Sequence, residues 1–173
     1  MLELTLETPS VRYKESYLQA LKEFRSEGRN LDENVDNLAR SFPDFIKKFS
    51  DEAEGKNLKE GYVPVTTYWA TEGEEYIGRI SVRHTLNEHL LRVGGHIGYE
   101  VRPTRRQMGH GTTMLKMVLL KARELGIIKA LITCDSTNVA SKKIIESCGG
   151  VLENEVTGED GKPSKLRFWI DVN

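Results

Sequence analysis

His96-Ile97-Gly98-Tyr99-Glu100-Val101-Arg102-Pro103-Thr104-Arg105-Arg106-Gln107-Met108-Gly109-His110-Gly111-Thr112 is the stretch from which the rest of the chain can be ordered. Its first residues read as a strand, and Pro103, which lacks a backbone N–H, stops it. Past Gly111, Met114, Leu115, Val118, Leu119, Ala122 and Leu125 recur at helical spacing, and Gly126 is a C-terminal cap. Two glycines at the mouth of a helix let the backbone approach an anion closely. The free N–H groups of the first turn then point at it, aided by the helix dipole. Arg102, Arg105 and Arg106 place positive charge just before the turn.

Outward from this unit the periodicity alternates between extended and helical. Toward the N-terminus, Val63–Thr71 and Tyr76–Val82 are rich in β-branched and aromatic residues around the turn Glu72-Gly73-Glu74, which predicts an antiparallel hairpin. A polar loop at Asn87–His89 separates that hairpin from His96. A helical stretch from Asn34 to Ala53, broken near Pro43, precedes it. Before that comes a helix opened by Pro9-Ser10, carrying Val11, Leu18, Leu21 and Phe24, and ended by Gly28. Residues 1–7 alternate as a first strand. Toward the C-terminus, Leu131–Cys134 is a short buried strand, and a helix runs from Asn138 to Gly149-Gly150. Val151–Val156 and Leu166–Val172 are closing strands, joined through Gly158 to Pro163. The expected fold is therefore α+β: a mixed, mostly antiparallel sheet of six to seven strands with about four helices.

The 173 residues favour one domain, 1–173. With 25 Lys plus Arg against 26 Asp plus Glu, the net charge of −1 gives no global pull toward nucleic acid or anionic membranes. No apolar run reaches the roughly 18 residues of a membrane span. The N-terminus lacks the basic start and apolar core of a signal peptide, so Cys134 and Cys148 read as reduced thiols and the location as cytoplasmic. The histidines at 84, 89, 96 and 110 have no zinc-ligand spacing, so no metal is expected.

Two nucleotide-binding loops can be compared with this one and rejected. A P-loop requires Lys and then Ser or Thr after its last glycine, whereas Thr112-Thr113 follows Gly111. A dinucleotide fingerprint requires a third glycine where Met114 stands. A plain tight turn remains the structural alternative.

Val101-x-Pro103 followed by Arg106-x-x-Gly109-x-Gly111, with Asn138-Val139-Ala140-Ser141 leading an apolar helix to Gly149, resembles the two signature segments of the GNAT superfamily of N-acetyltransferases. The resemblance runs from about Val63 to the C-terminus and more loosely before it. It implies a GNAT-like fold in which the strand at 97–101 splays from a parallel neighbour at 131–134. It also implies an acetyl-CoA-dependent N-acetyltransferase that transfers an acyl group to a primary amine by direct attack, through a tetrahedral intermediate. Carried over residue by residue, the resemblance gives Arg106, Gln107, Met108, Gly109, His110, Gly111 and Thr112 the CoA pyrophosphate. Tyr99, Glu100 and Val101 would offer their strand edge to the pantetheine, and Asn138 and Ser141 would touch it. A main-chain N–H of the splayed strand would stabilise the oxyanion. The acceptor would be a small-molecule or peptide amine, and homodimers are frequent in the family.

The sequence departs from the family at two points. Ile145 stands where many members have the tyrosine that protonates the leaving thiolate, and Gly150 stands where a phenylalanine is usual. Ser141 or a water is the alternative acid, although a thiol with a pKa of about 8.5 leaves readily without one. The amine must lose a proton before attack, and Glu100 and His96 are the candidate bases. Glu100 reads equally as a carboxylate paired with an arginine, His96 as an edge histidine, and Asn138 as a helix N-cap. Acidic residues between Asp32 and Glu60 outnumber basic ones eight to five, a hint of a cationic acceptor. The alternatives to an enzyme are an inactive acyl-CoA sensor and a purely structural protein.

Overall fold

The computed structural model describes residues 3–32, 34–158 and 161–172. Chain order is β1 (Thr5–Glu7), α1 (Lys14–Ser26), α2 (Val35–Arg40), α3 (Phe42–Ala53), β2 (Val65–Glu72), β3 (Glu75–Arg83), β4 (Ile97–Val101), α4 (His110–Glu124), β5 (Lys129–Asp135), α5 (Val139–Ser147), β6 (Val151–Val156) and β7 (Lys165–Asp171). The strands form one seven-stranded sheet ordered β1-β2-β3-β4-β5-β7-β6. Among the described residues, only β4 and β5 run parallel. The mixed, mostly antiparallel sheet is the architecture expected from the sequence.

The break expected near Pro43 is placed by the structure, and two other features differ from the sequence reading. The stretch 34–53 is two helices, because Ser41 breaks it and Pro43 sits in the first turn of α3, where its missing N–H costs nothing. The loop after β3 contains a π-helical turn at Leu90–Gly94, where the Asn87 side chain accepts from the Leu90 N–H at 2.8 Å. His96 lies just before β4 rather than in it. The connection 158–163 includes residues 159 and 160, which lie outside the described set.

Each face of the sheet has its own core. On one face Ile80, Val82, Ile97, Ile132 and Phe168 pack with Met114, Leu115 and Val118 of α4 and Ile145 of α5. On the other, Trp69 and Tyr76 pack beneath Leu18, Leu21 and Phe24 of α1 and Phe42 of α3. Tyr17 stacks on Trp69 with ring centroids 4.8 Å apart. Trp69 is fully buried, and truncating such a side chain costs about 3–5 kcal/mol. Strand alternation makes this division, since Trp69 and Ala70 face opposite cores.

Candidate active site

β4 and β5 are joined at one end only. Their single paired position is Ile97 with Ile132. Just before it, the His96 N–H donates to the Leu131 carbonyl at 2.7 Å and the Leu131 N–H donates to His96 Nδ1 at 2.9 Å. Beyond this clamp the two strands are no longer paired, which opens a cleft between them. Gly95, at φ 68°, sits at its root, where a Cβ would come within 2.6 Å of the Leu131 carbonyl oxygen. Burial, helped by the nearby Arg83 cation, holds the His96 pKa below its usual value, so the imidazole is neutral and Nδ1 can accept.

Main-chain alternation sets what β4 presents to the cleft. Arg83 N–H bonds the His96 carbonyl and Arg102 N–H bonds the Ile77 carbonyl, so within β4 the even-numbered residues 98 and 100 turn their main chain toward β3. Glu100 is one of them, and its main chain therefore cannot offer the edge expected of it. Tyr99 and Val101 face the cleft, with the Val101 carbonyl accepting from Arg106 Nε at 3.2 Å. Across the cleft, Asn138 caps α5 by accepting from the Ser141 N–H at 3.0 Å. The Tyr99 hydroxyl meets Ser141 Oγ at 2.8 Å. Burial pushes the Tyr99 phenol up to about 12. Cys134 is free and buried, its thiol pushed up by burial.

The loop between β4 and α4 is bent by two left-handed residues, Gln107 at φ 62° and Gly109 at φ 85°. Gly109 caps α4 without a side chain, and the first bond of the helix runs from the Thr113 N–H to the Gly109 carbonyl at 3.1 Å. The N–H groups of residues 107–112 thus reach no protein acceptor among the described residues, and residues 106–109 are exposed. Gly111 lets α4 approach α5, because a Cβ there would lie 2.7 Å from Ile144 Cδ1.

The side chains around this loop differ from expectation. Arg102 pairs with Glu23 at 2.6 Å, Arg105 with Glu75, and Arg106 with Glu27 at 2.8 Å. These arginines therefore fasten α1 and β3 to the loop, and the positive character of the mouth comes from main-chain donors. His110 is buried with Nδ1 3.7 Å from Glu72, and its Nε2 has no partner. Met108 is exposed.

A groove of about 850 Å³ lies on the opposite face of β4, beneath α1 and α3. Its floor carries Arg79, Ser81 and Arg83 of β3 with Gly98 and Glu100 of β4, and its walls include Phe45, Phe49 and Tyr62. Glu100 uses both carboxylate oxygens, Oε1 with Arg79 Nε at 2.7 Å and Oε2 with Arg29 Nη2 at 2.9 Å. His96 and Glu100 therefore serve different structures, a clamp and an ion-pair cluster. Of the acidic residues in segment 32–60, only Glu52 lines this groove among the described residues. The arginine floor escaped the sequence reading, although Arg79-Ile80-Ser81-Val82-Arg83 alternates polar and apolar in a strand paired on both edges. That alternation was the available signal.

The comparisons with known proteins bear on this arrangement. The model of the acetyltransferase (GNAT) domain matches residues 14–151. No curated protein sequence matches the chain. Among solved structures, the microcin C7 self-immunity acetyltransferase MccE, crystallised with acetyl-CoA and AMP, superposes with TM-score 0.73 at 16% identity, covering 98% of this chain and 92% of that one. A spermidine N-acetyltransferase SpeG chimera from Vibrio cholerae and hSSAT gives TM-score 0.67 at 17% identity, covering 98% and 95%. A Salmonella typhimurium acetyltransferase that modifies the N-terminal serine of ribosomal protein L7/L12 gives 0.69 at 16%, again covering 98% and 95%. At these identities the likeness establishes the fold.

Proposed function

Because the chain belongs to the GNAT acetyltransferase domain family, we propose that it transfers an acetyl group from acetyl-CoA to a primary amine by direct attack of the amine on the thioester. The observation that carries this reading is the set of main-chain N–H groups at 107–112, which stand at a helix mouth behind the exposed residues 106–109 and have no protein acceptor among the described residues. Such a set fits a diphosphate without any cationic side chain. Acetyl-CoA supplies an activated acyl group when bound there. No metal-ligand cluster occurs among the described residues, and none is needed for the reading.

The chain's own residues then divide the work. The cleft-facing amides of Tyr99 and Val101 hold the pantetheine arm, and an amide on the same edge receives the developing oxyanion. The amine enters from the groove, on the far side of β4. Glu100 faces that groove and is the base we assign, which requires it to release Arg29 or Arg79 as the amine's proton arrives. We assign His96 to positioning, because its Nδ1 is committed to Leu131. The Tyr99–Ser141 hydroxyl pair stands beside the cleft as proton donor to the thiolate, the place that Ile145 cannot fill. Asn138 orients Ser141 through the N-cap. A cytoplasmic setting accords with two free cysteines and with the lack, among the described residues, of a helix long and apolar enough to cross a membrane.

A second reading, acyl-CoA binding without turnover, draws on Ile145, which is fully buried where a catalytic tyrosine is usual. Thiol release from acetyl-CoA in the presence of amines separates the two: transfer yields free CoA, whereas a sensor binds CoA saturably and yields none. Gly109→Glu tests the loop itself. The φ of 85° strains any side chain, but a Cβ meets nothing within 4 Å, so the fold tolerates the change. The new carboxylate then faces the diphosphate, and CoA affinity should fall more than about ten-fold. Unchanged CoA affinity in that variant refutes the loop assignment.

A further inference from the structure

The floor of the groove is more basic than it needs to be for its own stability. Arg29, Lys48, Arg79 and Arg83 line it against only Glu52 and Glu100. Those two carboxylates are already matched. Glu100 takes Arg29 and Arg79, and Glu52 lies 3.6 Å from Lys48. Among the described residues, Arg83 is left without an anionic partner. Its Nη1 donates to the Gly94 and Gly95 carbonyls at 3.2 and 3.0 Å, which fixes the guanidinium in place but leaves its charge uncompensated. A half-buried cation without a counter-ion is costly, because desolvation penalises it and two carbonyl hydrogen bonds offset only part of that cost. Burial alone lowers the Arg83 pKa, and no carboxylate opposes it.

The position of this cation gives the cost a purpose. Arg83 Nη1 lies 3.9 Å from where a Cβ on Gly98 would stand, so the guanidinium covers the middle of β4 beside the root of the cleft. Two residues along the same face of β3, Ser81 Oγ bonds Thr67 Oγ1 at 2.8 Å, which sets two hydroxyls on the same floor. A guanidinium fork with neighbouring hydroxyls is the donor set that receives a carboxylate or a phosphate. We propose that the acceptor is an amine that also carries an oxyanion, carboxylate or phosphate, seated on Arg83 while its nitrogen reaches β4. This rests on the transferase reading and narrows its substrate class. It replaces the cationic acceptor that the acidic composition of residues 32–60 suggested.

Matched amines test it. Initial rates of thiol release are compared for phenylalanine against phenethylamine and for phosphoethanolamine against ethanolamine, with spermidine as the cationic control. The anionic member of at least one pair should have the higher kcat/KM by about ten-fold or more, the range of a charge-assisted bond. Which pair responds tells carboxylate from phosphate. Arg83→Gln should collapse that ratio toward one through a rise in KM, and Arg83→Lys should recover part of it. A purely structural role for Arg83 would lower both members alike. Preference for the neutral amines or spermidine, no turnover of any anionic amine, or a ratio unmoved in Arg83→Gln overturns the proposal. CoA binding measured on the same protein keeps the two failures apart. If CoA binds and the ratios fail, only the acceptor class falls; if CoA does not bind, the transferase reading falls first.

Discussion

The amide N–H of Leu131 donates to Nδ1 of His96 across 2.9 Å, and the His96 amide returns a bond to the Leu131 carbonyl at 2.7 Å. This reciprocal pair closes β4 onto β5 where the only other link is Ile97 with Ile132. It holds only while Nδ1 is unprotonated. His96 titrates below its ordinary value of 6.5 because of burial and Arg83. The unfolded imidazole takes up a proton as pH falls through about 6.5 while the folded one resists. The contribution is therefore complete above that pH and is lost as pH falls through the lower, folded value. Thermal melts of wild type and His96→Ala between pH 7.5 and 5 should converge toward the acid end. At pH 7.5 the variant should be less stable by about 1–3 kcal/mol, the penalty of an orphaned buried amide. His96→Asn, whose Oδ1 can take the place of Nδ1, should recover stability and lose the pH dependence. Parallel pH curves for wild type and His96→Ala would refute the clamp.

Gly95 and Gly28 both have positive φ, 68° and 77°, but their surroundings differ. A Cβ at 95 would lie 2.6 Å from the Leu131 carbonyl oxygen, a backbone atom, whereas one at 28 meets nothing within 4 Å. Gly28→Ala should cost about 1 kcal/mol, the left-handed penalty alone. Gly95→Ala adds a backbone clash and should cost about 3 kcal/mol, with CoA affinity falling as the clamp opens. Chemical denaturation gives both values. Equal costs would mean that β4 and β5 are free to move apart at that point.

What could be read from the sequence was whatever depends on neighbours in the chain. The α4 stripe from Met114 to Ala122, the hairpin around Gly73 and the cap at Asn138 are all local patterns, and the structure has them. The fates of Arg102, Arg105 and Arg106 were not legible, because their partners Glu23, Glu75 and Glu27 are roughly 30 to 80 positions away. The same holds for the groove. Arg83 and Gly98 come together only through the β3–β4 register, which no local pattern specifies. The break expected near Pro43 falls at Ser41, because a proline is placed in the first turn of a helix as readily as after its end.

Arg102 joins three elements. Its side chain is 9% exposed and contacts Glu23 of α1, Glu75 of β3 and Ser16 Oγ. Burial pushes the Glu23 carboxyl up, but bonds from Arg102 and Thr104 outweigh it and hold the pKa below its usual value. Its contribution is thus present above about pH 4.5 and is lost as pH falls through the folded value. Arg102→Ala leaves Glu23 largely desolvated with only Thr104, and should cost about 2–3 kcal/mol at neutral pH. The cost should shrink in acid, as the pH falls through the lowered folded value and Glu23 takes up a proton in both proteins. Urea melts stepped from pH 7 down to the acid limit of the fold measure it, and a cost that never shrinks along the series would exclude Glu23 as the partner that matters.

The Tyr99 hydroxyl is the last group whose role can be tested against a structural alternative. It reaches Ser141 Oγ at 2.8 Å beside the cleft, and burial pushes its pKa up to about 12. A phenol so raised stays protonated throughout the range in which the reaction can be assayed, so it acts as a donor and adds no limb to the pH profile below about pH 10. Tyr99→Phe keeps the ring packed against the sheet and removes only that donor. If the hydroxyl pair serves the leaving thiolate, kcat should fall about ten- to hundred-fold with KM for acetyl-CoA little changed. Ser141→Ala should produce a similar loss, and the double variant little more than either alone, because the two hydroxyls form one chain. A fall in stability with kcat intact would instead make the pair a brace between β4 and α5. In that case departure of the thiolate would require no acid from the protein.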